Sequence, residues 1–187
     1  MGVQEAKNRL MELIGPDRRV LLKNNNEGDE AWLSMTSVKK LTAGNTVNKS
    51  LENGFTKEQH YAVASDIDNL YRSAVRVFSY SDTNGNPDVQ IHRFAVPLHF
   101  DNAVAYITVK ENTVAGKRIH SAELMDIKKL GGILEEARRV SHAPLRSEFQ
   151  GEGGGMSAHP GNPSGATPSA PRLYDDNIHK IFNAVNS

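Results

Sequence analysis

Residues 90–129, QIHRFAVPLHFDNAVAYITVKENTVAGKRIHSAELMDIKK, constrain the fold of this chain more than any other segment. Apolar and polar residues alternate through three runs, and turn-forming residues separate the runs. A period of two is the mark of a strand with one buried face, so the segment predicts three consecutive β-strands. Asp101-Asn102 suits a tight hairpin between the first two. With a two-residue loop, Phe100 pairs with Ala103. Phe94 then lies opposite Val109, Val96 opposite Ile107 and Leu98 opposite Ala105, on an apolar face. The other face carries Arg93 opposite Lys110, Ala95 opposite Thr108 and Pro97 opposite Tyr106. Like charges directly opposed on a sheet repel, so Arg93 beside Lys110 is the arrangement expected of an anion site.

The flanking sequence predicts helices. Residues 4–14 carry an amphipathic pattern that Gly15-Pro16 stops. Residues 19–23 and 30–36 read as short strands around a polar loop, 37–41 as one helical turn and 45–53 as irregular. Thr56 suits a helix N-cap, and Val63, Ile67, Leu70, Tyr71, Ala74 and Phe78 follow at helical spacing. Residues 131–140 read as a further helix. Residues from 141 are loop-like, and 151–171 are rich in Gly, Pro, Ser and Ala, the composition of a flexible linker. Ile178, Ile181, Phe182 and Val185 then form the stripe of an amphipathic C-terminal helix, expected to dock on the domain's own core ahead of any partner. The expected class is α+β: N-terminal helices packed on a small antiparallel sheet, with a unit over 1–140, a linker over 141–171 and a helical segment over 172–187.

Composition narrows the chemistry. The chain has 187 residues with 22 basic and 22 acidic side chains. No global field therefore draws it to nucleic acid or anionic lipid, and any nucleic-acid site has to be a local basic patch. It has no cysteine, which excludes disulfides, thiolate catalysis and cysteine zinc sites. With no apolar run near the roughly 20 residues needed to span a bilayer and no signal-like start, the expectation is a cytoplasmic protein without a membrane partner. Neither a carboxylate cluster nor a Cys/His set with metal spacing stands out, so no metal and no cofactor is expected.

The NGFTKEQHYAVASDIDNLYRSAV segment, the turn after it, IHRF with a following Pro, ITVKE and HSAELMDIKK together resemble a domain of large polyvalent proteins from phages and conjugative elements. Related domains follow MuF-type head-morphogenesis proteins. The resemblance covers residues 36–129, about half of the chain. It implies a sheet of the barnase/EndoU/colicin/RelE-like kind. It also implies a metal-independent endoribonuclease acting as a toxin or effector, with RNA as substrate and an immunity protein as possible partner. One departure from the pattern is AVP after IHRF, where an aromatic residue followed by Ala-Pro is expected.

Metal-free RNA cleavage needs a base for the 2′-hydroxyl, cations for the phosphorane-like transition state and an acid for the leaving oxygen. His92, Arg93, Lys110 and Glu123 are the candidate catalytic residues. His92 would act as base or acid, Arg93 as a phosphate fork and Lys110 as a point charge. Tyr106, Thr108 and Ser121 are candidate substrate contacts, with Tyr106 able to stack on a base. One difficulty is geometric: adjacent residues on a strand face opposite ways, so His92 joins Arg93 only at a bulge or edge. Otherwise Ser121, Glu123 or His120 supplies the proton chemistry. The competing reading is a non-catalytic phosphate-, nucleotide- or protein-binding module. In that reading His92 pairs with Glu111, His120 is a hydrogen-bonded core residue and His60 is a helix-surface residue. An ADP-ribosyltransferase is disfavoured, because its Arg, Ser-x-Ser and Glu-x-Glu order is missing.

Overall fold

Residues 1–82, 86, 88–114, 117–141 and 172–185 are described by the computed structural model. Their strands are β1 (Arg19–Lys23), β2 (Glu30–Ser34), β3 (Val75–Ser81), β4 (Gln90–Pro97), β5 (Ala103–Val114), β6 (Lys117–Lys129) and β7 (Arg172–Leu173). They form one sheet in the order β1-β2-β6-β5-β4-β3-β7. Neighbours are antiparallel except β2 and β6, which run parallel through the pair Trp32 and Ser121. The helices are α1 (Val3–Ile14), α2 (Met35–Leu41), α3 (Gly44–Glu52), α4 (Lys57–Ala64), α5 (Ile67–Ser73), α6 (Leu130–Ser141) and α7 (Asp175–Val185). The class is α+β, as the sequence predicts, with a sheet that is larger than expected and mixed.

Local chemistry explains most of these elements. In α1 the buried residues Ala6, Leu10 and Ile14 recur every four positions. Gly15 ends the helix at φ +59°, a conformation glycine adopts without strain. Thr56 and Gln59 form a reciprocal capping box at the start of α4, and Ser34 and Ser37 do the same for α2.

Three expectations are corrected. All of 45–53 but the C-cap Asn53 lies in a helix, α3, whose buried positions Thr46, Val47 and Ser50 are mostly small and polar. Their hydrogen bonds replace the apolar stripe: Thr46 donates to the Lys40 carbonyl, and Ser50 Oγ accepts from the Ile127 amide. The long helix after Thr56 is broken into α4 and α5, and the residues after Ala74 form β3, paired with β4 and β7. Val75, Val77 and Phe78 favour a strand, and pairing on both sides outweighs a helical spacing that continued by coincidence. The β4–β5 hairpin is also longer-looped than expected. Asp101 and Asn102 do occupy the left-handed turn positions, at φ 51° and 50°. However, the Leu98 amide donates to the Ala103 carbonyl, so residues 99–102 form the loop. The register is therefore displaced by two residues, which preserves each residue's face and changes every partner.

Helices α1–α5 cover one face of the sheet, burying Leu10, Leu22, Leu33, Tyr71, Phe94, Ile107 and Met125. Helices α6 and α7 cover the other, where Ile133, Ile178 and Ile181 pack with Phe78, Val104 and Tyr106. Thus α7 completes the protein's own core. The predicted linker falls almost wholly outside the described residues. None of the described helices is long and apolar enough to cross a membrane.

Candidate active site

The displaced register removes the opposed cations. Arg93 lies opposite Thr108 and Lys110 opposite Ile91 and Ser121. Each cation has its own partner. Arg93 donates from Nε to the Tyr80 hydroxyl at 3.2 Å and from its terminal nitrogen to Thr108 Oγ1, with its guanidinium 5.4 Å from the Tyr106 ring centre. Lys110 pairs with Asp82 at 2.8 Å. Tyr106 and Thr108 are buried beneath this arrangement, at 0% and 3% exposure, so neither presents a surface to a nucleotide. Glu123 is the extra residue of a bulge in β6 and binds Lys40 of α2. The structure therefore does not bring Arg93, Lys110, Glu123, Tyr106, Thr108 and Ser121 into one open site. Most of the Arg93 face is the second core.

His92 points the other way, as strand alternation requires, and there it lines a cleft of about 280 Å³. The lining is Arg76, Ser79, Gln90, His92, Glu111, Arg118, Arg172 and Tyr174. Two bulges assemble it. In β3, Arg76 pairs with Phe94 and Ser79 with His92, the register slipping between Arg76 and Phe78. Residues three apart thereby share a face. In β6 the slip that leaves Glu123 unpaired puts Ala122 on the same face as Met125, so His120, opposite Glu111, belongs to the cleft side. Arg172 enters on β7, opposite Ser79. Tyr174 follows it, its amide held by the Val77 carbonyl.

The polar groups of the cleft form a chain. Ser79 Oγ lies 2.8 Å from His92 Nδ1, and His92 Nε2 lies 3.0 Å from Glu111 Oε2. Tyr174 Oη lies 3.5 Å from Ser79 Oγ. Glu111 Oε2 also meets His120 Nε2 at 3.0 Å, and Arg118 Nε lies 3.7 Å from Glu111 Oε1. With Nε2–H donating to the carboxylate, His92 presents its Nδ1 lone pair to the serine hydroxyl. Burial lowers the His92 pKa below that of a free imidazole; the bond to Glu111 opposes this, and the charge of Arg76 adds to it. Burial also works against a charged Glu111, yet hydrogen bonds from His92 and His120 hold its carboxyl below the usual range. For Tyr174 burial would raise the phenol, and hydrogen bonding with Ser79, Arg76 and Arg172 brings it below its ordinary value. Arg76 is anchored by Asp29 and stacks 5.4 Å from the Phe94 ring centre and 5.9 Å from that of Tyr174.

Of the sequence-predicted site residues, the cleft holds His92 alone; its expected pairing with Glu111 is present, made diagonally across the ladder. Arg76 and Ser79 sit in the strand mistaken for helix, and Arg172 and Tyr174 lie beyond the linker. An RVFSYS alternation after Ser73 and an RIHS alternation in β6 were the available signals. His92, Glu111 and His120 also form a group whose ligand atoms all lie within 4.8 Å of one another, a cluster that sequence spacing did not disclose.

The family model for large polyvalent protein-associated domain 3 matches residues 4–120, a span from α1 into the start of β6 that includes six of the eight cleft-lining residues, Arg76 to Arg118. No curated protein and no solved structure matches the chain significantly.

Proposed function

The chain belongs to the large polyvalent protein-associated domain 3 family, and we propose that its His92 cleft cleaves RNA without a metal ion, as the effector domain of a phage or mobile element. One observation carries this reading. A neutral histidine stands between a hydroxyl and a carboxylate in a cleft lined by Arg76, Arg118 and Arg172. Arginine forks bind two phosphate oxygens at once and stabilise the charge that builds on them in the transition state.

In the proposed reaction His92 Nδ1 takes the Ser79 proton as Ser79 takes the proton of the ribose 2′-hydroxyl. The imidazolium that forms is stabilised by Glu111. The 2′-oxygen bonds to phosphorus, the bond to the 5′-oxygen breaks, and Tyr174 gives that oxygen its proton. The products are a 2′,3′-cyclic phosphate and a 5′-hydroxyl. An acidified phenol beside two arginines suits the leaving group, and a histidine whose pKa is depressed is available as a base at neutral pH. Such an activity would call for a neutralising protein in the producing cell, with an acidic surface to cover the three arginines.

The test is incubation of the full-length protein with mixed RNA in excess EDTA, followed by end-group analysis. Cleavage with 2′,3′-cyclic phosphate ends is expected. A strict requirement for an added divalent ion would overturn the mechanism. Tight phosphate binding with no cleavage of any RNA would favour the alternative, a phosphate-binding module.

A further inference from the structure

His92, Glu111 and His120 converge in a way that RNA chemistry alone does not use. Both imidazole Nε2 atoms address the same oxygen, Glu111 Oε2, each at 3.0 Å. The opposite nitrogen of each ring is held from behind, His120 Nδ1 by the Glu30 carbonyl at 3.1 Å and His92 Nδ1 by Ser79 at 2.8 Å. A carbonyl can only accept, so His120 carries a proton on Nδ1, and Nε2, which hydrogen-bonds Glu111 in the metal-free protein, is the nitrogen a metal would take by displacing its proton. A histidine whose Nδ1–H is fixed by a backbone carbonyl while Nε2 faces other ligand atoms has the outer support typical of a metal-binding imidazole. The ring planes stand at 77° with centres 5.8 Å apart, so the two nitrogens approach from different directions.

We infer that His92 Nε2, His120 Nε2 and Glu111 form a three-ligand site for a borderline divalent cation of the zinc type, opening onto the arginine cleft. Tetrahedral zinc with bonds of about 2.0–2.1 Å places ligand atoms roughly 3.3 Å apart. The two 3.0 Å contacts have to spread by a few tenths of an ångström, and the two imidazole nitrogens, within 4.8 Å of each other, have to settle at the same separation. Two imidazoles and one carboxylate select zinc and its transition-metal neighbours over magnesium or calcium, which require oxygen ligands. Because His92 and Glu111 line the arginine cleft, water or a phosphate oxygen entering from it would complete the set. Arg118, the nearest opposing charge, has 76% of its side chain exposed and is free to turn to solvent.

The site carries a consequence for His92. With its Nε2 lone pair on the metal, the ring's proton must sit on Nδ1, which then donates to Ser79 instead of accepting from it. The cation therefore switches His92 off as a base. On the cleavage reading proposed above, metal-free protein is then the active form and the metal an inhibitor.

The experiment uses the full chain stripped with chelator and then dialysed free of it. Cobalt(II) is titrated with visible spectroscopy, zinc with calorimetry, and the imidazole nitrogens are followed by NMR. One equivalent of zinc should bind, cobalt should give the intense absorption of a four-coordinate site, and the His92 proton should move from Nε2 to Nδ1. His120→Ala and Glu111→Gln should each weaken binding by at least about tenfold, the scale seen even for outer-shell changes. His120→Gln, closer in size, should do the same if the alanine variant fails to fold. Absence of saturable binding would overturn the site. So would an affinity unchanged in the folded His120 variants, which would assign the metal to one of the chain's other histidines. None of these readouts needs RNA, so the site can fail without the cleavage reading failing, and the reverse.

Discussion

At the residue scale, the cleft depends on side chains whose roles separate by mutation. His92→Ala should lower the RNA cleavage rate by at least about a hundredfold, within the range for a lost acid–base group. Its pKa is lowered in the fold, so the acidic limb of the rate profile should lie below the ordinary imidazole value of about 6.5. A limb above that value would indicate a different base. Tyr106 tests the opposite point. Its hydroxyl is buried with no hydrogen-bond partner among the described residues, while its ring faces Arg93 and Lys128. Tyr106→Phe keeps the ring and removes an unsatisfied group, so chemical denaturation should show unchanged stability or a gain of about 1 kcal/mol. Arg93→Ala should instead destabilise by about 2 kcal/mol, because it removes charge-assisted bonds to Tyr80 and Thr108.

A second residue-scale prediction concerns acid. His60 is fully buried, with Nε2–H donating to the Leu41 carbonyl at 2.9 Å and Nδ1 accepting from Ser50 at 2.8 Å. Burial lowers its pKa against the partly opposing bond to Leu41. Its folded pKa therefore lies below the unfolded value of about 6.5. Its contribution is fully present above that pH and is lost as pH falls through the folded pKa. Thermal melts from pH 8 downward should show a midpoint that falls more steeply in the native protein than in His60→Gln. Equal slopes would contradict the assignment.

At the element scale, alternation made β4, β5 and β6 legible in the sequence, and capping made the start of α4 legible. What stayed hidden has physical causes. The buried face of α3 is built from Thr46 and Ser50, so no apolar stripe marks it. Strand β3 continues a helical spacing by chance, and its pairing partners are distant in sequence. Bulges leave no signature in alternation, yet they decide that Arg76 joins Ser79. The hairpin's turn residues were legible while its register was not, and that displacement alone turned an apparent anion site into a satisfied, largely buried one. The terminal segment gives a prediction at this scale. Its helix α7 buries Ile178 and Ile181 and holds the Arg76 carbonyl through Asn177 at 2.8 Å, while β7 and the residue after it deliver Arg172 and Tyr174. Deleting residues 172–187 should lower the melting temperature by several degrees and abolish cleavage, since each buried isoleucine contributes about 1.5–3 kcal/mol. Tyr174→Phe should abolish cleavage at unchanged melting temperature. A truncated protein as stable as the intact one would mean that α7 is not part of the core.

At the scale of the whole molecule, the two faces of the sheet differ in how far they are closed. One end of the face covered by α1–α5 is left open, and there strands β3, β4, β5 and β6 and the terminal segment contribute cleft residues. The opposite face is closed over Tyr106 by α6 and α7. Net charge is zero, so the proposed anion affinity would come from arginines gathered locally and should fall with added salt without long-range steering. The most direct measurement compares initial rates of cleavage of one RNA, in excess EDTA, for the native protein, Arg172→Ala and Lys110→Ala, with folding checked by melting. Arg172 lines the cleft, and Lys110 lies outside it, paired with Asp82. The account predicts a loss of at least about a hundredfold for Arg172→Ala, the scale of a lost transition-state donor, with Lys110→Ala close to the native rate. A folded Arg172→Ala that cleaves normally while Lys110→Ala is inactive would contradict it, as would a native protein that cleaves no RNA at all.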